Sequence, residues 1–306
     1  MQTNLPSTFF TASPQFGWFI ILYFFIGGIA GGALMLAGLL RLFGRPVDRS
    51  YVEIAGVLAL AGAVICGLLL IVDLSAPLRF WHMVIQNHTG RPMFKWWSPM
   101  SDGVWILVLF SFFALVAALD SVTSEKWPVV RRLRFLATPP FATVTAIGGI
   151  VSGLALAGYT GVLLAVTNRP VWADSSWLGI VFLFSAVSTA MASLLLLSRW
   201  RRVEVSSTAE WLTRFDSVTL ILELLAIVCF LVSLGDAFRA LLNAWGALLV
   251  LGVIVVGIVA PYLLQRRPNH SVVVSATLVL VGGFLLRTVI FLSSERIHVV
   301  GTQVFH

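Results

Sequence analysis

Val57-Leu-Ala-Leu-Ala-Gly-Ala-Val-Ile-Cys-Gly-Leu-Leu-Leu-Ile-Val-Asp73-Leu-Ser-Ala-Pro-Leu-Arg79-Phe-Trp-His-Met83 passes within a few residues from pure hydrocarbon to mixed chemistry. The uncharged run ahead of Asp73 reaches back to Ile54. A helix of that length spans the roughly 30 Å apolar core of a bilayer. Beyond Asp73 the sequence runs on to Gly103 as a connection holding Arg79, His82, His88, Arg91, Lys95, Ser98, Ser101 and Asp102. Trp81, Trp96, Trp97 and Trp105 lie in it or just after it, a composition typical of the membrane interface. A connection this long and this polar, between two apolar runs, points to function rather than mere linkage.

The rest of the sequence repeats the first half of that pattern. Of 306 residues 59% are hydrophobic and 11% charged, where a soluble domain carries roughly 25% charged residues. A soluble protein is excluded. Eight spans are expected, at about 17–40, 52–74, 100–120, 138–166, 175–198, 212–234, 240–264 and 272–294. The fold class is all-α: a polytopic transmembrane bundle of eight helices, with residues 1–306 forming a single integral membrane domain. The fourth span is long enough to tilt or project, and Asn168-Arg169-Pro170 closes it. Met1–Gln15 has no basic residue and no small-residue cleavage site, so the first span is expected to be retained. No long-period repeat or low-complexity segment is legible.

A net charge of +7 would suggest nucleic acid in a soluble protein. Here the basic residues mark loops instead, and no nucleic-acid partner is expected. The loops after spans one, three, five and seven hold 13 of the 20 basic residues, among them Arg41, Arg45, Arg49, Arg131, Arg201, Arg202 and Arg266; the opposite side holds 6. The positive-inside rule then places both termini and the Asp73–Gly103 connection outside, which in a bacterium is the periplasmic face of the cytoplasmic (inner) membrane. That orientation stacks Tyr23, Asp73, Asp102, Tyr159 and Arg287 near one surface, with Glu223 near mid-depth. Gly27-Gly28-Ile29-Ala30-Gly31-Gly32, and Gly149 with Gly153, have the spacing of close helix packing. The same glycines would also let a flat ligand approach the backbone.

Redox cofactors in the chain itself are excluded by ligand arithmetic. His82, His88, His270, His298 and His306 lie in loops or at the termini, leaving no span with a haem ligand. Cys66 and Cys229 cannot supply the four thiolates of an iron–sulfur cluster. No metal-binding spacing appears either. Any electrons handled here come from, or go to, another protein.

Taken together, Gly27-Gly28-Ile29-Ala30-Gly31-Gly32, Asp73-Leu-Ser-Ala-Pro-Leu-Arg79-Phe, Ser98-Pro-Met-Ser101-Asp102-Gly, Tyr159-Thr-Gly-Val-Leu-Leu and Leu286-Arg287-Thr-Val-Ile resemble the NrfD family, which includes the membrane subunit of polysulfide reductase. The resemblance covers essentially all eight spans. It implies a quinone-reactive subunit, with menaquinone or ubiquinone bound as substrate. It also implies a four-cluster, ferredoxin-like iron–sulfur partner, often joined to a molybdopterin catalytic subunit. The quinone pocket of such relatives lies near the face that binds the iron–sulfur subunit. Where polysulfide reductase has a histidine on span one, this protein has Tyr23.

Quinone chemistry needs a flat apolar slot, a hydrogen-bonding group at each carbonyl and a proton path. Tyr159 is the leading candidate for a carbonyl contact and Tyr23 the second, against an ordinary role in an interfacial tyrosine belt. Asp73 is the candidate proton acceptor, against a structural pairing with Arg79 or Arg287 or a helix-end group exposed to water. Arg79 either orients Asp73 or packs beneath Trp81, and His82 is a candidate relay. Ser98, Ser101 and Asp102 can line the pocket or cap span three. Glu223 and Arg287 are charges at membrane depth, either paired with one another or forming a proton route. The expected site thus comprises catalytic Asp73, Tyr159 and Glu223, with Tyr23, Arg79, His82, Ser98, Ser101, Asp102 and Arg287 around the quinone and no metal. A secondary transporter and a passive anchor are the competing readings.

Overall fold

The computed structural model describes residues 17–74, 76–122, 138–167, 169, 171–203, 206–267 and 271–294. Met1–Gln15, Lys126, Arg131, Arg132 and Arg134, Asn168 and Pro170, His270, and the terminal segment with Arg296, His298 and His306 lie outside them.

Inside hydrocarbon every backbone amide and carbonyl must be satisfied within its own segment, which leaves apolar stretches only the helix. Eight helices long and apolar enough to cross a membrane result. They are α1 (Trp18–Phe43), α2 (Arg49–Asp73), α3 (Pro99–Val122), α4 (Phe141–Ala165) and α5 (Leu178–Trp200), then α6 (Ser206–Ser233), α7 (Ala244–Gln265) and α8 (Val272–Ser293). No strand occurs among the described residues. α4 begins at Phe141, directly after Pro139-Pro140, and is shorter than expected from hydropathy. α6 begins at Ser206, six residues ahead of the expected boundary. Its polar first turns carry the helix past the point where hydropathy falls.

The α7 span is one continuous helix, but its winding changes. Leu249–Val259 is wound as a π-helix between the α-helical segments Ala244–Leu248 and Ala260–Gln265. Pro261, in the last segment, lacks the amide that would donate to Gly257 in ordinary α winding.

The helices form two four-membered rings. In the first, α1 packs on α2 and α4, and α3 closes the ring between them; in the second, α5 packs on α6 and α8, and α7 closes it. The second helix of each ring is followed by a seven-residue 3-10 turn, Pro77–Met83 after α2 and Gly235–Leu241 after α6. Arg79 and Arg239 each lie six residues past the end of the helix before the turn, a likeness too faint to read from the sequence. α1 and α4 of the first ring both pack on α5 of the second, and α1 and α5 are the most enclosed helices. Each buries 72% of its apolar window within the protein, against 28% for α3 and α7, which face outward.

Small residues set these distances. A Cβ on Gly31 would fall 2.6 Å from the Gly153 carbonyl oxygen, and one on Gly153 would strike Gly31 in return. One on Gly32 would fall 2.7 Å from the Ala186 carbonyl oxygen. The packing reading of the span-one glycines holds at these positions.

The helix ends lie in two sets. One end carries the Asp73–Gly103 connection and is called the loop end; the other carries Arg41, Arg45, Arg49, Arg199, Arg201, Arg202, Arg266 and Arg267 and is called the arginine end. Trp172 Nε1 donates to the Ile290 carbonyl at 2.8 Å, and Ser175 and Ser233 share a 2.5 Å hydroxyl contact, both at the loop end. The Thr208 hydroxyl donates to the Asp48 carboxylate at the arginine end, tying the second ring to the first.

Gly153→Ala is expected to push α1 from α4 and cost about 1–3 kcal/mol, as overpacking does. Gly67→Ala, whose Cβ would meet nothing within 4 Å, should be silent. Thermal unfolding of the detergent-solubilised protein distinguishes the two.

Candidate functional site

At the loop end the connection is held by its own backbone before any side chain acts. Met93 N donates to the Val84 carbonyl at 2.8 Å and Gln86 N to the Arg91 carbonyl at 2.9 Å, closing a short clasp around Gly90, whose φ of +64° suits glycine. Trp105 Nε1 on α3 donates to the Met93 carbonyl at 3.0 Å, and Ser101 Oγ accepts from Lys95 N at 3.0 Å. Ser101 therefore ties the connection to α3 rather than capping it. The Ser98 carbonyl accepts from Asp102 N at 3.0 Å as α3 begins at Pro99.

Onto this start of α3 the structure brings Tyr159 from α4. Its phenol is buried and donates to the Pro99 carbonyl at 2.6 Å. A Cβ on Gly103 would overlap the phenol ring, so glycine is what admits the tyrosine. Asp102 and Tyr23 both lie within electrostatic range of the Tyr159 hydroxyl. Tyr23 is buried on α1, its ring 5.5 Å from Phe24 and its carbonyl accepting from Cys66 Sγ at 3.8 Å. Tyr23, Tyr159, Asp102, Pro99 and Gly103 thus form one group drawn from α1, α3 and α4.

Asp73, Arg79 and His82 make no contact with this group among the described residues. Asp73 is exposed at the last turn of α2, with its carboxylate 3.8 Å from where a Cβ on Gly17 would lie. Among the described residues it forms no ion pair with Arg79 or Arg287 and no hydrogen bond with Tyr159. Arg79 is exposed in the Pro77–Met83 turn. His82 stacks obliquely on Trp81, ring centroids 3.8 Å apart, and its Nε2 is buried without a hydrogen-bond partner.

Arg287 lies deeper, fully enclosed. Its Nε donates to the Phe24 carbonyl at 3.1 Å, and Nη1 donates to Ser185 Oγ at 3.1 Å and to the Gly283 carbonyl at 2.8 Å. Its guanidinium carbon stands 5.4 Å from the Phe182 ring centroid and 5.8 Å from Phe25. A Cβ on Gly28 would be 2.6 Å from Nη2, which gives that glycine a role apart from helix packing: it leaves room for the guanidinium. Glu223, buried on α6, shares the Ser185 hydroxyl with Arg287 and attracts it electrostatically. The two charges communicate through a serine rather than by direct contact.

The sequence reading missed Asp216. It is buried on α6 and accepts from Ser188 Oγ at 2.7 Å and from Gln265 Nε2 at 2.6 Å. Gln265 also accepts from Ser217 Oγ at 2.6 Å. Asp216 precedes Glu223 by two helical turns and so lies on the same face, a spacing that was available as a signal.

Comparison with known proteins gives this arrangement a family. The sequence matches the family described as Polysulphide reductase, NrfD over residues 7–297. The protein belongs to the NrfD family. It is 29% identical over 305 residues to Protein NrfD of Escherichia coli strain K12, covering 92% of the present sequence and 93% of that protein. It is 25% identical over 325 residues to the Protein NrfD homolog of Haemophilus influenzae, covering 96% and 99%. To the C subunit of polysulfide reductase from Wolinella succinogenes it is 25% identical over 309 residues, covering 91% and 93%. This NrfD-family protein is therefore a multi-pass membrane subunit of the oxidoreductase-associated kind.

Because Arg287 and Glu223 share Ser185, Glu223→Gln and Arg287→Gln should not be additive. Each single change leaves the other charge uncompensated and costs several kcal/mol, while the double variant recovers at least about 1 kcal/mol of the summed loss. A double-mutant cycle on thermal stability measures this.

Proposed function

We propose that this protein exchanges electrons between the quinone pool and an iron–sulfur partner subunit, at a quinone site near the outward, periplasmic face of a bacterial cytoplasmic membrane. The observation that carries the reading is the buried Tyr159 phenol at the start of α3, beside Asp102 and Tyr23. A phenol in that position offers hydrogen bonding at membrane depth, one of the groups that a quinone site requires.

Quinol oxidation releases two electrons and two protons. The Tyr159 proton is committed to the Pro99 carbonyl, so its remaining lone pairs accept from a quinol hydroxyl; rotation about the phenol C–O bond would let it donate to a quinone oxygen instead. Asp73, exposed at the rim, passes the two protons in turn to water, with His82 as a relay. Electrons leave to the iron–sulfur subunit, because this protein has no ligand set to store them. A partner of the four-cluster, ferredoxin-like type would dock over the connection, where Leu78 is 89% exposed, Trp96 75% and Trp97 65%. Large apolar side chains this exposed beyond the span ends suit a protein interface. A molybdopterin catalytic subunit would complete the complex, as the similarity to the polysulfide reductase subunit suggests.

In the assembled complex Tyr159→Phe and Asp73→Asn should each lower quinol:acceptor turnover at least tenfold, with the iron–sulfur subunit still bound. Unchanged turnover would reduce this subunit to a passive anchor.

A second reading, that turnover is coupled to proton movement, is favoured by the buried groups of the second ring. Arg287, Ser185 and Glu223 lie on one side, and Asp216, Ser188 and Gln265 continue toward the arginine end. Glu223 and Asp216 are about 10 Å apart along the helix axis, a gap that water would bridge. Under this reading Glu223→Gln retains quinol turnover in proteoliposomes but loses the associated pH change.

A further inference from the structure

A cavity of about 540 Å³ opens at the arginine end, where the two rings meet. One wall is apolar, made by Leu39 and Phe43 of the last turns of α1 and by Trp211 of α6. The floor is polar, made by Arg45 and Asp48 between α1 and α2 and by Ser207 at the start of α6. The division matches the bilayer. Phe43 is 81% exposed, and Trp211 is 42% exposed at the depth where tryptophan favours the headgroup boundary. The polar side lies at the helix ends.

The charges on that floor are not equivalent. Asp48 is buried and already accepts from the Arg45 amide at 2.7 Å and from the Thr208 hydroxyl. Its carboxylate fixes the floor and joins the rings. Arg49 is taken by Glu53 at 3.2 Å. The Arg45 guanidinium, by contrast, makes no ion pair or hydrogen bond among the described residues, and it lines the cavity. Arg41, Arg199, Arg201 and Arg202 give the same end a positive field, which favours an anionic headgroup over a neutral one.

We propose that this cavity binds one anionic glycerophospholipid of the adjoining leaflet, with its phosphate against Arg45 and Ser207 and an acyl tail along Leu39, Phe43 and Trp211. The lipid fills the seam between the rings beside the Asp48–Thr208 tie, and so stabilises their contact. The required chemistry is an organic phosphate carrying an apolar tail. A free phosphate would meet the arginine but leave the wall empty.

The test uses the full-length protein purified in mild detergent. Native mass spectrometry should find one retained phospholipid per protein molecule. After delipidation, phosphatidylglycerol should raise the unfolding temperature, whereas phosphatidylcholine and inorganic phosphate should not. Arg45→Gln should weaken phosphatidylglycerol binding about fivefold, the weight of one arginine at an anionic surface. Trp211→Ala should weaken it independently, and Arg239→Gln, exposed at the loop end, should leave it unchanged. Equal binding by the wild type and both cavity variants would overturn the proposal, as would equal stabilisation by phosphatidylcholine or by inorganic phosphate.

Discussion

A guanidinium enclosed at membrane depth dictates much of this architecture. A charge placed there costs about 3 kcal/mol or more unless the protein surrounds it with partners. Arg287 draws those partners from four helices: the Phe24 carbonyl of α1, Ser185 of α5, Glu223 of α6 through that serine, and Gly283 of its own helix α8. One of these helices belongs to the first ring and three to the second. Lipid tails are as apolar as leucine, so apolar packing alone specifies little about which helix neighbours which. A buried cation that accepts only certain neighbours supplies some of the missing specificity.

Glycine makes this enclosure possible. The room for Nη2 is the absence of a side chain at Gly28, and the backbone contact of α1 with α4 is the absence of side chains at Gly31 and Gly153. The run from Gly27 to Gly32 therefore serves two purposes within two helical turns: a cradle for a charge and a seat for a neighbouring helix. Gly103 acts similarly at the loop end, where it admits the Tyr159 phenol. In each case the small residue is paired with a specific large one elsewhere in the sequence.

The polar groups divide between the rings. Those of the first ring gather at the loop end around Tyr159, apart from Asp48 at the arginine end. Those of the second ring are sealed in its interior and run toward the arginine end. The matching turns after α2 and α6 suggest one four-helix plan used twice, with its chemistry placed at the surface in one ring and in depth in the other.

The sequence by itself determined the eight crossings and the motif set that marks the NrfD family. The reason is physical: hydrocarbon tolerates only internally bonded backbone, so span number follows from apolar length and needs no knowledge of neighbours. It also singled out Tyr159, Glu223 and Arg287, because polar residues inside apolar runs stand out. Tertiary structure alone decided which of them meet. That Tyr159 is held by Pro99 and admitted by Gly103, that Arg287 reaches Glu223 through Ser185 rather than pairing with Asp73, and that Asp216 is buried all depend on how helices pack against one another. Hydropathy is blind to this, since a carboxylate near a span end reads the same whether it faces water or a neighbouring serine and glutamine. Helix winding was equally hidden: the π-wound stretch of α7 lies within a run as apolar as any other.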